Sequence, residues 1–286
     1  MDESARWDEG LLDEMQAYFA LQHLTDPRIV DDMSWGLVDT KVLHVRDGGR
    51  DVVVKAAGPA GHHIAREITA HESYTGPLVE RDRTGRLIAA DRAANVLITE
   101  YQTGELVEGS PYEFNPDVHA QAGSMLRALH GQARRLDEDY EHLATAKAIA
   151  WLDREHRVEV HAEADARLVL NAYRPRPVET VPTHGDWQPR NWLIDGNHVR
   201  AIDFGRFEFR PPATDLARLA TQQWKGDSSL ESAFLDGYGG DPRDGCPWSI
   251  ELLREAIGTA VWAYQVSDIE FEAHGHRLLG EALARF

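Results

Sequence analysis

Two short runs constrain this 286-residue chain more than anything else in it. They are Thr183-His184-Gly185-Asp186-Trp187-Gln188-Pro189-Arg190-Asn191 and, after residues 192–201, Ile202-Asp203-Phe204-Gly205. The first holds a carboxylate, Asp186, and an amide, Asn191. The second holds another carboxylate, Asp203, at the end of an apolar strand. Oxygen-bearing side chains in this order suit phosphoryl transfer, where protein chiefly has to hold metal, nucleotide and attacking hydroxyl in line. Mg2+ takes hard oxygen ligands and draws only one or two from protein, leaving the rest to phosphates and water. Asn191 and Asp203 fit that role, and Asp186 can then accept a hydrogen bond from an acceptor hydroxyl and orient it.

Such a reaction needs a cation for the nucleotide phosphates. Lysine is scarce in this chain, occurring only as Lys41, Lys55, Lys147 and Lys225. Val52-Val53-Val54-Lys55 places one at the end of an apolar strand, which makes Lys55 the candidate. The helix after it offers Glu67 and Glu72 as steering carboxylates, and periodicity does not separate them, since both flank the Ile64 and Ile68 stripe. Leu97-Ile98-Thr99-Glu100-Tyr101, before Gly104, reads as a connecting strand whose backbone at Glu100 and Tyr101 can pair with a nucleotide base.

The pattern along the chain separates two regions near Gln102. Before it, apolar positions from Leu11 to Leu24 predict a helix over 7–24. Strands are predicted at 29–35, 41–46, 51–56, 86–90 and 95–101, with a helix through Ile64, Ile68 and Tyr74 between them. The Gly48-Gly49 pair suits a hairpin turn. After Gly104, Asn115-Pro116 starts a helix that runs to Gly131. Further helices are predicted over 144–172, 214–224 and 250–286, with short strands and loops over 180–209.

Charge narrows the partners. With 30 Lys+Arg against 48 Asp+Glu the formal net charge is −18, which argues against nucleic acid or a membrane surface as main partner and permits a cationic small molecule. The single cysteine, Cys246, excludes an intrachain disulfide and a Cys-built zinc site. The fourteen histidines, His62-His63, His71 and His274-x-His276 among them, contain no His-Glu-x-x-His pattern and read as scattered surface residues. An acidic start, Met1-Asp2-Glu3-Ser4, and the lack of an apolar run near the ~20 residues that span a bilayer give a cytoplasmic expectation.

The spacing of the two runs, with Pro211-Pro212-Ala213-Thr214-Asp215-Leu216-Ala217 behind them, resembles the aminoglycoside phosphotransferase and choline kinase family. Lys55, Arg66-Glu67, Thr99-Glu100-Tyr101, Leu129-His130 and the C-terminal helices fall where that family has counterparts. The resemblance implies an α+β, two-lobed, protein-kinase-like fold. A small antiparallel-sheet N-lobe with one inner helix would span 1–102, and a larger, mainly helical C-lobe 103–286. It implies Mg2+, with ATP or GTP as co-substrate, and transfer of the γ-phosphoryl group to a hydroxyl of a small cationic molecule such as an aminoglycoside-like or other antibiotic. A choline-like amino alcohol, a sugar, or a catalytically silent nucleotide-binding module on the same fold are the alternatives.

The resemblance also favours Glu67 over Glu72, and it makes Asp215 a buried carboxylate that braces the catalytic loop. His184 reads as a backbone anchor beside the Gly-Asp turn. C-lobe helices shape the acceptor site in that family, which points to Asp268, Glu270 and Glu272 for an ammonium group and to Trp262 or Tyr264 for an aromatic wall. The chain departs from kinase patterns in having no Gly-x-Gly-x-x-Gly or Gly-Lys-Ser/Thr loop, and Ser34–Thr40 carries Gly36 alone. Arg206, after Asp-Phe-Gly, is a phosphate partner or a structural one.

Overall fold

The computed structural model describes residues 7–36 and 39–286. The acidic start and the centre of the Ser34–Thr40 loop lie outside the described residues. The N-terminal region is α1 (Glu14–His23), β1 (Pro27–Asp32), β2 (Thr40–Asp47), β3 (Arg50–Ala57), α2 (His62–Ser73), a single turn α3 (Gly76–Val79), β4 (Leu87–Asp91) and β5 (Val96–Glu100). Its strands form one antiparallel sheet in the order β1-β2-β3-β5-β4. Asp47 pairs with Arg50 across Gly48-Gly49, and Gly48 has φ +60°, a left-handed conformation that glycine adopts without a steric penalty.

Alternation of side chains gives the sheet two different faces. Leu43, Val45, Val52, Val54, Val96 and Ile98 pack with Ala17 and Ala20 of α1. On the other face Leu97 meets Ile64 and Ile68 of α2, and Lys55 lies opposite Leu97 in the register. The lysine therefore projects on the same side as the inner helix.

The second region comprises β6 (Glu105–Leu106), α4 (Pro116–His130), β7 (Arg135–Asp137), α5 (Tyr140–Leu152), α6 (Val160–Ala172) and β8 (Val178–Thr183). Then come β9 (Trp192–Asp195), β10 (His198–Ala201), β11 (Glu208–Arg210), α7 (Ala217–Thr221), α8 (Ser228–Tyr238), α9 (Trp248–Gln265) and α10 (Ile269–Leu283). Pairing of β6 with β9 ties the chain leaving β5 to the strand after Asn191. Leu126, Leu129, Trp187, Trp192, Phe204 and Phe234 form one core; Leu152, Leu170, Leu253, Ile257, Val261 and Leu278 belong to another.

Several element boundaries differ from the sequence expectation for identifiable reasons. The first helix starts only at Glu14, because Glu9 and Gly10 have positive φ and Asp13 with Gln16 makes a capping box. Met15 is accordingly exposed, while Ala17 and Ala20 face the sheet. The first strand ends at Asp32, whose carboxylate accepts the Ser34 N–H. The helix expected over 144–172 is two: His156 Nε2 bonds the Leu152 carbonyl at the end of α5, and Glu159 caps α6. The segment 250–286 likewise breaks at Ser267 (φ +60°), where Asp268 caps α10.

The expected helix over 214–224 is a 3-10 turn (Pro212–Leu216) followed by α7. Helix α8 was not expected; Asp227 caps it and it packs closely on α4, where a Cβ on Gly123 or Gly237 would overlap the facing helix backbone. No helix among the described residues is long and apolar enough to cross a membrane.

Candidate active site

Lys55 Nζ donates to Glu67 Oε1 at 2.8 Å and Oε2 at 3.0 Å, and to Asp203 Oδ1 at 3.1 Å. The sheet, the inner helix and the Asp-Phe-Gly segment thus meet at one ammonium group. Burial disfavours its charge, but Asp203 and Glu67 more than compensate and raise its pKa above that of an ordinary lysine. Glu72 instead bonds Arg92 at 2.7 Å, away from this cluster. Asp203 has φ +64°, a left-handed backbone that aspartate tolerates better than most residues. Lys55 holds its carboxyl below the ordinary aspartate range.

Asp186 is almost fully buried and is held by three side chains. Its Oδ1 accepts from Gln188 Nε2 at 2.5 Å and Arg218 Nη1 at 2.6 Å; its Oδ2 accepts from Arg190 Nη2 at 2.6 Å. Burial would raise its pKa, yet Arg218, Arg206 and Arg190 hold the carboxyl far below the usual range. Asn191 Nδ2 donates to the Asp186 carbonyl at 2.8 Å, so its amide oxygen is the atom left for a ligand. The Ile202 N–H bonds the Asn191 carbonyl at 3.0 Å, which docks the residue preceding Asp203 against the catalytic loop.

The loop is braced from behind. Asp215 accepts the Gly185 N–H at 2.6 Å and the His184 N–H at 2.9 Å, and His130 Nε2 lies 3.0 Å from the same carboxylate. His184 Nε2 bonds the Ile202 carbonyl at 3.0 Å while its Nδ1 accepts the Asp186 N–H at 3.3 Å. That pattern assigns the proton to Nε2 and makes His184 a link between the two runs. Gly185 has φ +81°, and a Cβ there would overlap the Arg206 carbonyl oxygen and lie 2.9 Å from its carbon.

Other expectations fare differently. Tyr101 stacks on His44 with centroids 3.9 Å apart. The N–H groups of Glu100 and Tyr101, however, are spent on Arg86 and Asp51 carbonyls, because Glu100 ends β5 and Tyr101 extends its pairing by one residue. Their donors are not open to a base. His71, expected at the surface, is buried against Phe204, and burial and Lys55 depress its pKa to about 3.

Beside Asp186 opens a cavity of about 360 Å³ whose walls include Trp262, Phe271 and Trp151. Asp268, Glu270 and Glu272 are not among its lining residues. Asp268 caps α10, Glu270 is exposed, and Glu272 is buried 3.3 Å from Arg157. The structure therefore does not bring these three carboxylates to the cavity beside Asp186. The cavity's charged lining sets Arg66, Arg206, Arg210, Arg218, Arg254 and Lys147 beside Asp186, Asp215, Glu251 and Glu255, and of these arginines sequence reasoning noted only Arg66 and Arg206. The only local signal for Arg218 is its place one turn after Asp215.

The fold is shared with known enzymes. The profile of the phosphotransferase enzyme family matches residues 36–248, and the chain belongs to that family: it is a small-molecule phosphotransferase with an alcohol group as acceptor. The fold is that of choline kinase LicA from Streptococcus pneumoniae (12% identity, 95% of this chain and 98% of that one, TM-score 0.66). It is equally that of a thermostable mutant of aminoglycoside phosphotransferase APH(4)-Ia in ternary complex with ADP and hygromycin B (15%, 93% and 97%, TM-score 0.63). Macrolide 2'-phosphotransferase type I is also similar (20%, 92% and 94%, TM-score 0.61). No curated protein sequence matches the chain.

Proposed function

We propose that the protein transfers the γ-phosphoryl group of ATP to a hydroxyl of a small molecule seated in the cavity beside Asp186. The observation that carries this reading is the convergence of Glu67 and Asp203 on Lys55, with Asp186 and Asn191 docked to the same segment through Ile202. Lys55, steered by Glu67, neutralises the nucleotide's inner phosphates. Similar folds solved with ADP and AMP-PNP favour an adenine nucleotide.

The donor set suits Mg2+: the Asn191 amide oxygen is left over once Nδ2 is tied to Asp186, and Asp203 Oδ2 carries no hydrogen bond among the described residues. When bound there, the ion would neutralise charge on the transferring phosphoryl group. Asp186 positions the acceptor hydroxyl and remains ionised because its arginine neighbours suppress its protonation. Its carboxylate is a hydrogen-bond acceptor with little basicity, which suits a reaction that needs orientation more than proton abstraction.

The test is ADP release over a panel of hydroxyl-bearing acceptors, with ATP and GTP compared. Asp186→Asn is expected to lose at least about 100-fold in turnover while keeping nucleotide affinity, since the contact is made mainly in the transition state. Undiminished turnover in that variant overturns the assignment.

A further inference from the structure

The chain carries a net charge of −18, yet the cavity beside Asp186 is lined by Arg66, Lys147, Arg206, Arg210, Arg218 and Arg254. Three of these cations are neutralised within the protein. Arg218 bridges Asp186 and Glu255, at 2.6 and 2.9 Å. Arg210 pairs with Glu208 at 2.8 Å, and Arg254 with Glu141 at 2.7 Å. Asp215 also borders the cavity, but its oxygens are consumed by the loop N–H groups and His130.

The remaining three are not locked in a short ion pair, although carboxylates lie near each: Asp186 and Glu255 for Arg206, Glu208 for Lys147 and Arg66. Lys147 and the Arg206 side chain have no hydrogen bond or ion pair among the described residues. Arg66 has only Glu208, at 4.0 Å, which Arg210 already holds. They come from α2, α5 and the segment after Asp-Phe-Gly, and so face one space from separate elements. Partial burial and Arg210 depress the pKa of Lys147 against the pull of Glu208, and burial and Arg218 depress that of Arg206 against Asp186 and Glu255. Cations that face one cavity without a short ion pair repel each other, and a bound anion would relieve the repulsion.

We propose that the acceptor is an anion: a small molecule bearing a carboxylate or phosphate group in addition to the hydroxyl that is phosphorylated, with the anionic group held by Arg206, Lys147 and Arg66. Guanidinium forks and an ammonium arriving from different directions match the several oxygens of such a group. Trp262 and Phe271 on the α9–α10 side leave room for an apolar portion. The proposal rests on the reading of Asp186 as the residue that orients the acceptor, and it replaces the cationic acceptor that the acidity of the whole chain suggested.

The experiment saturates the protein with AMP-PNP and Mg2+, so that the nucleotide phosphate site is filled, and titrates it calorimetrically at constant ionic strength. The probes are inorganic phosphate and citrate as anions, and choline and spermidine as cations. One anion is expected to bind 1:1, its affinity falling about tenfold in Lys147→Ala and in Arg206→Gln, with no binding of either cation. Which anion binds more tightly distinguishes phosphate from carboxylate recognition.

Stoichiometric binding of a cation overturns the proposal, as does failure of both anions to bind or equal anion affinity in wild type and variants. Lys147 is exposed and unpaired, so Lys147→Ala keeps the test valid if thermal melting shows Arg206→Gln to be unfolded. Failure of AMP-PNP to bind counts against the assignment of Lys55 and Asp203, whereas failure of the anions with AMP-PNP bound counts only against the anionic acceptor.

Discussion

Replacing Asp215 with asparagine keeps the shape of the side chain and is nevertheless expected to destabilise the protein severely. The carboxylate is sealed from water and accepts from the Gly185 N–H, the His184 N–H and His130 Nε2 at 2.6, 2.9 and 3.0 Å. An amide retains one acceptor and turns the other oxygen into a donor that must face one of these N–H groups. Losing one charge-assisted bond costs about 1.5–3 kcal/mol and stranding a buried donor about 1–3 kcal/mol more, so about 3–5 kcal/mol is expected in all.

The assay is urea unfolding at constant m, read as the shift in midpoint. The pH dependence supplies a second arm. Burial would raise the Asp215 pKa, but its bonds to His130 and His184 depress it below the ordinary 3.8. Stability from the ionised form is therefore complete above about pH 4 and is lost as pH falls through the lower folded value, so the gap between wild type and variant should close on acidification. A loss under about 1 kcal/mol, or a gap that does not narrow in acid, refutes the brace.

Two further substitutions probe the same region. Gly185→Ala combines a left-handed residue with overlap on the Arg206 backbone and should lose about 2–5 kcal/mol by urea unfolding; a neutral result would mean that the loop is not held as tightly as described. Glu251 borders the acceptor cavity, and burial pushes its pKa from 4.5 up to about 7 against the pull of Arg254. Its folded state holds the extra proton between those values, so stability falls as pH rises through that window. Glu251→Gln should be the more stable form by about 3 kcal/mol at pH 8 and equal to wild type below pH 4.5; equal stability at pH 8 sinks the reasoning.

The parts of the fold legible in the sequence were those governed by local period and turn chemistry. The apolar run Val52 to Val54, the Gly48-Gly49 turn and the Asn115-Pro116 helix start all have clear local signals, and the sheet and α4 follow them. Helix ends were harder, because positive-φ residues such as Gly10 and Ser267 stop a helix without interrupting its apolar pattern. The 3.6-residue period carries across such breaks, which is why 144–172 and 250–286 each read as one helix.

The candidate site divides the same way. Asp186, Asn191 and Asp203 stand in two compact runs, whereas the arginines of the cavity lie on α2, β11, α7, α9 and the loop after Asp203. Only the tertiary fold gathers them. Net charge is blind to such a gathering for a related reason: it averages over the whole surface, while a cavity is a local selection of side chains.

The most direct test of the central claim is the Mg2+ dependence of AMP-PNP binding in wild type, Asp203→Ala and Asp186→Asn. Asp203 bonds Lys55 and has a free oxygen, while Asp186 is committed to Arg218, Arg190 and Gln188. Wild-type affinity is expected to strengthen when Mg2+ is added, with Asp203→Ala losing about tenfold or more of that gain and Asp186→Asn retaining it. Full Mg2+ enhancement in Asp203→Ala would contradict the account.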